Sequence, residues 1–152
     1  MTTKALHLSL LVALAGCSES GDPEPDLYYT EQTTHDFMNK VMEPAAERVW
    51  DKTGYLMNED GFHNLFPQNA EQWQEAEAAS LLVAELSNVL SIPGRRIEES
   101  DWDAAVKGVR VTSLAAADAA AKHNEDDFMK SALALNNACE SCHLKYARPS
   151  QQ

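Results

Sequence analysis

Basic residues are scarce in this sequence. The 152-residue chain has 12 lysines and arginines against 24 aspartates and glutamates, a formal net charge of −12. Phosphate backbones and anionic lipid headgroups would repel such a chain, so we exclude nucleic acid as a partner and do not expect membrane binding through basic patches. A basic partner protein is the natural hypothesis for docking.

The sequence also lacks the usual signs of catalysis. We find no paired carboxylates, no nucleophile with an associated base and no phosphate-binding loop, so the protein is not predicted to be an enzyme. There is no internal repeat and no convincing strand. Because helical periodicity dominates, the fold class is predicted to be all-α.

Cysteine is rare, and its placement is informative. Two of the three cysteines fall within Cys139-Glu140-Ser141-Cys142-His143. This C-x-x-C-H pattern is the attachment signature of c-type haem. Each thiol can add across a haem vinyl group to form a thioether, and the histidine can supply an imidazole nitrogen to the iron.

Other interpretations of the pattern remain open. A thioredoxin-like C-x-x-C is expected in a βαβ context, and no strand-rich segment precedes this one. A zinc site would need a fourth ligand and usually a second C-x-x-C. A chance match on a buried helix is the third alternative, and covalent attachment of one haem is the favoured one.

The last helix is predicted to run from Asn124 to Pro149. Asn124 is a good N-cap, and Asp127 imitates the second member of a capping box. One apolar stripe at helical period includes the two thiols, which are therefore predicted to face the interior. The stripe consists of Phe128, Ala132, Leu135, Cys139, Cys142 and Tyr146.

The N-terminal segment predicts export. Lys4 precedes Ala5 to Leu14, which are apolar apart from His7 and Ser9 and too few to span a bilayer. The segment ends Leu14-Ala15-Gly16-Cys17, which resembles the lipobox of bacterial lipoproteins. The resemblance implies a signal peptide over residues 1–16 and lipidation of Cys17; the alternative is an ordinary secretory signal with a coincidental cysteine.

Lipidation would account for the remaining cysteine. Ser18 follows Cys17 where an aspartate would favour inner-membrane retention, so the resemblance implies a periplasmic, lipid-anchored protein that is more readily sorted to the outer membrane. Cleavage before Cys17 leaves 11 basic against 24 acidic side chains, a net charge of −13. Haem is also attached outside the cytoplasm, so two unrelated features predict the same compartment.

Residues 17–32 contain glycine, prolines and acids and are predicted to form a tether. Residues 33–149 are predicted to form one haem domain, an antiparallel four-helix bundle. The first three helices are predicted at Thr34–Thr53, Ala70–Ser91 and Asp101–His123.

Several local features accompany these helices. Pro44 predicts a kink or break near Lys40 to Glu43, and Gly54 is expected to end the first helix. The third helix is expected to begin with a capping box formed by Ser100 and Asp103. The alanine-rich segment Leu114 to Ala121 would allow a neighbouring helix or a flat ring to approach closely.

A C-terminal C-x-x-C-H in a four-helix chain resembles the cytochrome c′ family. The resemblance covers roughly residues 34 to 148, and its specific part is Cys139-x-x-Cys142-His143-x-x-Tyr146. It implies thioethers at Cys139 and Cys142 and His143 as proximal iron ligand. The family often has a basic residue directly after the aromatic, whereas Ala147 stands there in this chain.

In that family the first helix supplies the distal face of the haem. The candidate side chains here are Phe37, Met38, Val41 and Met42. A methionine sulfur bound to iron would suit electron transfer, whereas an apolar side chain that crowds the iron would leave room for NO or CO. Core packing is the favoured interpretation for each methionine.

Other side chains that could contact the haem are predicted to lie at the surface or in the core. His35, His63 and His123 are predicted to be solvated surface residues. Arg95 and Arg96 could pair with haem propionates, but an exposed turn is favoured. The three tryptophans are expected in the core or at an interface.

The sequence thus predicts a membrane-tethered c-type cytochrome that transfers electrons or binds NO or CO. The alternatives are a haem-based gas sensor or NO-buffering protein and, least favoured, a structural lipoprotein without haem. The family resemblance also implies a homodimer. Without haem the core is expected to be loose or unfolded.

Overall fold

The computed structural model describes residues 27–147. The predicted signal peptide, Cys17 and most of the tether lie outside this range, as do Arg148 and Pro149. The described part is predominantly helical and contains one two-stranded sheet. Its elements are α1 (Thr34–Phe37), a π-helical segment (Met38–Met42), α2 (Glu43–Trp50), β1 (Tyr55–Asn58), β2 (Gly61–Asn64), α3 (Ala70–Val89), α4 (Trp102–Ala121) and α5 (Glu125–Tyr146).

The buried sides of α3 and α4 confirm the helical periodicity of the sequence. Trp73, Ala76, Ala79 and Val83 are buried on α3, and Trp102, Val106, Val109, Ser113 and Ala116 are buried on α4. α3 packs mainly against α4, and α4 against α5, while α2 packs on α3. None of the helices in residues 27–147 is long and apolar enough to cross a membrane.

Pro44 changes the first helical segment without breaking it. The Glu43 N–H donates to the Met38 carbonyl, five residues back, within the π-helical stretch Met38–Met42. In a regular α-helix the Pro44 ring would meet the carbonyl of Lys40, and proline has no N–H to donate. The wider turn just before Pro44 accommodates both effects, so the predicted irregularity is a π-helical segment and not a break.

The end of α2 differs from the prediction. The helix ends at Trp50, and the turn continues with hydrogen bonds from Lys52 N to the Val49 carbonyl and from Thr53 N to the Trp50 carbonyl. Gly54 therefore does not directly follow the helix. It has φ +92° and leads the chain into β1, and a Cβ there would lie 3.3 Å from Cε of Met129.

The expectation that the chain has no strand is wrong. β1 and β2 pair antiparallel, with Tyr55 opposite Asn64 and Asn58 opposite Gly61. The Asn58 side chain accepts a hydrogen bond from Asp60 N at 3.0 Å and thereby stabilises the tight turn. The strands have four residues each, too few for a clear alternation of apolar and polar side chains.

The predicted capping box of α4 is also wrong. α4 begins after Asp101, whose side chain makes no capping hydrogen bond. Asp103 instead accepts two hydrogen bonds from Arg96, at 2.9 Å from Nε and 2.7 Å from Nη2. A bidentate pair with a guanidinium is stronger than a neutral cap, and the geometry of the preceding connection places Arg96 within reach.

Asn124 caps α5 as predicted. Its side-chain oxygen accepts from Asp127 N at 3.1 Å, and its amide nitrogen lies 2.7 Å from the Asp127 carboxylate. We expect Asn124→Ala to lower the free energy of unfolding by about 1 kcal/mol, because a helix N–H loses its acceptor. Urea unfolding followed by circular dichroism measures this change. Asn124→Ser keeps an acceptor and is the matched control; equal midpoints for the two variants would contradict the capping role.

Candidate haem-attachment site

The C-x-x-C-H pentapeptide lies in the last two turns of α5. Cys139 and Cys142 are free thiols, both half-buried, and Cys139 packs against the hydrophobic core. His143 is exposed. The two thiols therefore share the inward side of the helix, as three-residue spacing requires, while the imidazole lies at its edge.

The prediction of a fully buried stripe holds for only half of α5. Phe128, Ala132 and Leu135 are at most 1% exposed, but Cys139, Cys142 and Tyr146 are only half-buried. The first half is covered from two sides, since Trp50 Nε1 donates to the Ala132 carbonyl at 3.3 Å and Trp73 meets Phe128 edge to face. Near the end of the helix, the ring of Trp102 in α4 contacts the ring of Tyr146.

The thiols are poorly suited to redox chemistry of their own. Burial raises the pKa of Cys139 to about 11, with a smaller contribution from Cys142, and burial also raises the pKa of Cys142. Both groups are therefore protonated at neutral pH. Reactive C-x-x-C pairs have a lowered thiol pKa and commonly lie at the positive end of a helix, whereas these lie towards the negative end. The thioredoxin-like alternative loses support.

The first half of α4, and not its alanine-rich segment, lies beside the thiols. The tip of α5 meets the start of α4: the rings of Trp102 and Tyr146 are 4.9 Å apart, edge to face, and Lys145 Nζ lies 3.0 Å from an Asp101 carboxylate oxygen. The alanine-rich segment Leu114–Ala121 is at the opposite end of α4 and cannot flank a ring attached at Cys139. The short connection between α4 and α5 imposes this antiparallel register.

Small residues do occur on α4 near the thiols. Gly108 faces the residue before Cys139, since a Cβ on Gly108 would lie 3.9 Å from Cβ of Ala138. One turn closer to the start of the helix, Ala105 is half-buried. The side chains of α4 beside the two thiols are therefore small, and they leave room for a flat group attached to α5.

The first helical segment contributes its predicted distal candidates to the same core. Phe37 and Met42 are 4% and 3% exposed, and Met38 and Val41 are half-buried against the same core cluster on which Cys139 and Tyr146 pack. Met38 and Met42 both belong to the π-helical stretch. Its wider turn changes the direction of the side chains relative to a regular α-helix, which sequence spacing does not reveal.

The three alternative histidines have other contacts. His35 is exposed and lies 3.2 Å from the Asn39 amide, and exposed His123 stacks on Trp73 with ring centroids 5.5 Å apart. His63 is half-buried in the hairpin, 3.0 Å from the Asn58 side-chain oxygen, so its prediction as a solvated residue is only partly right. Within residues 27–147, no group of three or more His, Cys, Asp or Glu side chains is arranged to hold a bare metal ion.

Arg95 and Arg96 are not an exposed turn, which corrects the sequence-based expectation. Arg96 is half-buried and pairs with Asp103 and Glu98. Arg95 is 4% exposed, and its guanidinium carbon lies 5.2 Å from the centroid of the Phe37 ring. Gly94, with φ +85°, lies in the turn that follows α3, directly before the two arginines.

The donor set fits a covalently attached haem. Two free, half-buried thiols stand at the required spacing beside small residues of α4, and an imidazole follows directly. Aromatic and methionine side chains form the adjoining core. In comparisons with known proteins, no family model, no curated protein and no solved structure matched this chain.

Proposed function

We propose that this protein is an exported c-type cytochrome that carries one haem on α5. Cys139 and Cys142 form the thioethers, and His143 ligates the iron. The observation that carries the proposal is the C-x-x-C-H pentapeptide in the last turns of a helix, with both thiols free and turned towards the core. Spacing, side of the helix and packing all meet the needs of covalent attachment.

The proposed architecture is an antiparallel four-helix bundle similar to that of cytochromes c′. The first helical segment, α3, α4 and α5 would be the four helices. The contacts of α2 with α3, α3 with α4 and α4 with α5 support this arrangement. The hydrogen bond from Trp50 Nε1 to the Ala132 carbonyl joins the first segment to the last helix, which is the contact a closed bundle requires.

The chain's own residues would control access to the iron. Phe37 and Met42 are buried, and they would exclude water from the distal side. Trp102 packs on Tyr146 one turn beyond Cys142 and holds the end of α5 in place. The bound haem would supply one-electron chemistry or a binding position for NO or CO.

The cellular setting belongs to the same proposal. Lipidation at Cys17 would anchor the protein to the periplasmic face of a membrane, with the outer membrane favoured. The excess of acidic residues supports docking of a basic redox partner through charge complementarity, and such docking should weaken as salt is added.

Protein matured in a periplasm that attaches haem provides the direct test. We expect the mass of the exported chain to include one haem, and a Soret band to remain with the polypeptide after acid–acetone extraction. The bare polypeptide mass would overturn the proposal and favour a structural lipoprotein. Optical spectra of both redox states, with and without CO, then distinguish electron transfer from gas binding.

Met38 and Met42 can be tested as iron ligands in the same material. We expect Met42→Leu to leave the spectrum unchanged, because Met42 is 3% exposed and packs within the core. The ferrous protein should be high-spin and take up CO. Met38→Leu is the matched variant one turn earlier. Conversion from a low-spin to a high-spin spectrum in either variant would identify that methionine as a ligand and favour electron transfer.

A further inference from the structure

Arg95 is a buried cation with few partners. Only 4% of the residue is exposed, and within residues 27–147 neither Nε nor Nη1 has a hydrogen-bond acceptor. Nη2 donates one long hydrogen bond, 3.4 Å, to the Tyr29 carbonyl. A guanidinium does not deprotonate in proteins, so the positive charge persists at this position.

These contacts do not compensate the burial of Arg95. Removing an ion from water costs several kcal/mol even after relaxation, and an uncompensated buried charge is strongly destabilising. The Phe37 ring contributes about 0.5–2 kcal/mol through the cation–π contact. An anionic partner is therefore needed for Arg95 to remain buried.

The acidic side chains near Arg95 form ion pairs with other basic residues. Arg96 pairs with Glu98 and Asp103, and Lys145 pairs with Glu99 and Asp101. These four carboxylates belong to the connection between α3 and α4 and to the first turn of α4. Within residues 27–147, no ion pair joins any of them to Arg95. Among the described residues, Arg95 is thus a cation without a paired carboxylate, beside four carboxylates that are already paired.

The position of Arg95 points to the proposed haem site. Its guanidinium lies over Phe37, a distal candidate that is buried in the core to which Cys139 also packs. The turn that carries Arg95 follows α3, where the Leu90 carbonyl accepts from Trp102 Nε1 at 2.8 Å. Trp102 in turn contacts Tyr146, one helical turn beyond Cys142.

We infer that the Arg95 guanidinium binds a propionate carboxylate of the haem. This inference rests on the proposed function, since the carboxylate belongs to the attached group. The haem would then be oriented with one propionate at the end of the bundle. At that end α1, the start of α4 and the tip of α5 come together. Arg95 thereby acts as a positioning residue and provides the carboxylate with a counter-charge.

Substitution of Arg95 should change how the haem responds to pH. A nearby cation lowers the pKa of a carboxyl group by about 1–3 units, so loss of the cation moves protonation of the propionate to higher pH by that amount. Protonation of the propionate removes its negative charge and thereby raises the midpoint potential of the haem iron. In Arg95→Met the rise of the potential with falling pH should therefore begin about 1–3 pH units higher than in the wild type.

Among the described residues, the other charges around this turn include Arg96, Lys145 and the four acids already named, with His35 and Asp36 beside Phe37 and Glu31 close to Tyr29 in the sequence. They are unchanged in Arg95→Met, so their titration contributes equally to both profiles. Arg96→Gln is the matched control, because Arg96 is adjacent in sequence but pairs with Asp103 and Glu98. Its profile should follow that of the wild type, and Arg95→Lys should restore most of the wild-type profile.

The experiment uses redox titrations of the matured, haem-loaded chain from pH 5 to pH 9. Arg95→Gln, also neutral, replaces Arg95→Met if the latter does not accumulate. A wild-type pH profile in either neutral variant would overturn the inference and leave the proposed function intact. If the wild-type chain itself carries no haem by mass, the proposed function fails, and the inference fails with it.

Discussion

The exported Cys139→Ala/Cys142→Ala variant is expected to contain no covalently bound haem and to lose cooperative unfolding. Each thiol is half-buried on the inward side of α5, and each can form one thioether. Without both bonds, a bound group could be extracted with acid–acetone. The neighbouring core would then lose apolar contacts and be left with a void, which costs stability in proportion to its volume.

Two measurements test this result. Mass spectrometry of the denatured chain reports attachment, and far-UV circular dichroism during heating reports the fold. The matched control is Glu140→Ala/Ser141→Ala, which changes the two exposed residues between the thiols and leaves the C-x-x-C-H pattern complete. The control should retain haem. Thermal unfolding of the cysteine variant indistinguishable from wild type would show that haem does not organise the core.

Phe128→Ala is expected to lower the free energy of unfolding of the haem-loaded chain by about 3–5 kcal/mol. Phe128 is completely buried and meets Trp73 edge to face, with ring centroids 5.7 Å apart. Phe128 lies near the start of α5, at the other end of the helix from the thiols, so the loss comes from packing alone. A loss of this size is a large part of the total stability of a small domain.

Leu133→Ala is the matched control for Phe128→Ala. It lies on the same helix, is 57% exposed, and should change the free energy of unfolding by less than about 0.5 kcal/mol. Urea titrations of the matured proteins measure both variants, and mass spectrometry should show haem on each. Similar urea midpoints for the two variants would mean that α5 does not pack as the structure shows.

The C-x-x-C-H spacing was evident in the sequence because it depends only on local covalent and helical geometry. The same is true of the N-cap at Asn124 and of the helical periodicity of α3 and α4, since a helix of 3.6 residues per turn places i, i+3 and i+4 on one side. The irregular helix before Pro44 was also foreseeable, because the missing N–H and the bulk of the ring are properties of proline itself.

Features that depend on which surfaces meet were not foreseeable. The alanine-rich half of α4 had a composition suited to a flat ring, but the antiparallel register placed it at the opposite end from Cys139. The decrease in burial along α5, from Leu135 to Tyr146, has the same origin. Trp50 and Trp73 cover the first half of the helix, and the amino-acid pattern of α5 contains no information about its neighbours.

By itself, the sequence determined the long helices and the spacing of the two thiols and His143, because each follows from the pattern along one chain segment. Only the tertiary structure decided that adjacent Arg95 and Arg96 have opposite environments, one paired at the surface and one buried over Phe37. The physical reason is that the burial of a charge depends on the segments that close over it, and these come from distant parts of the chain.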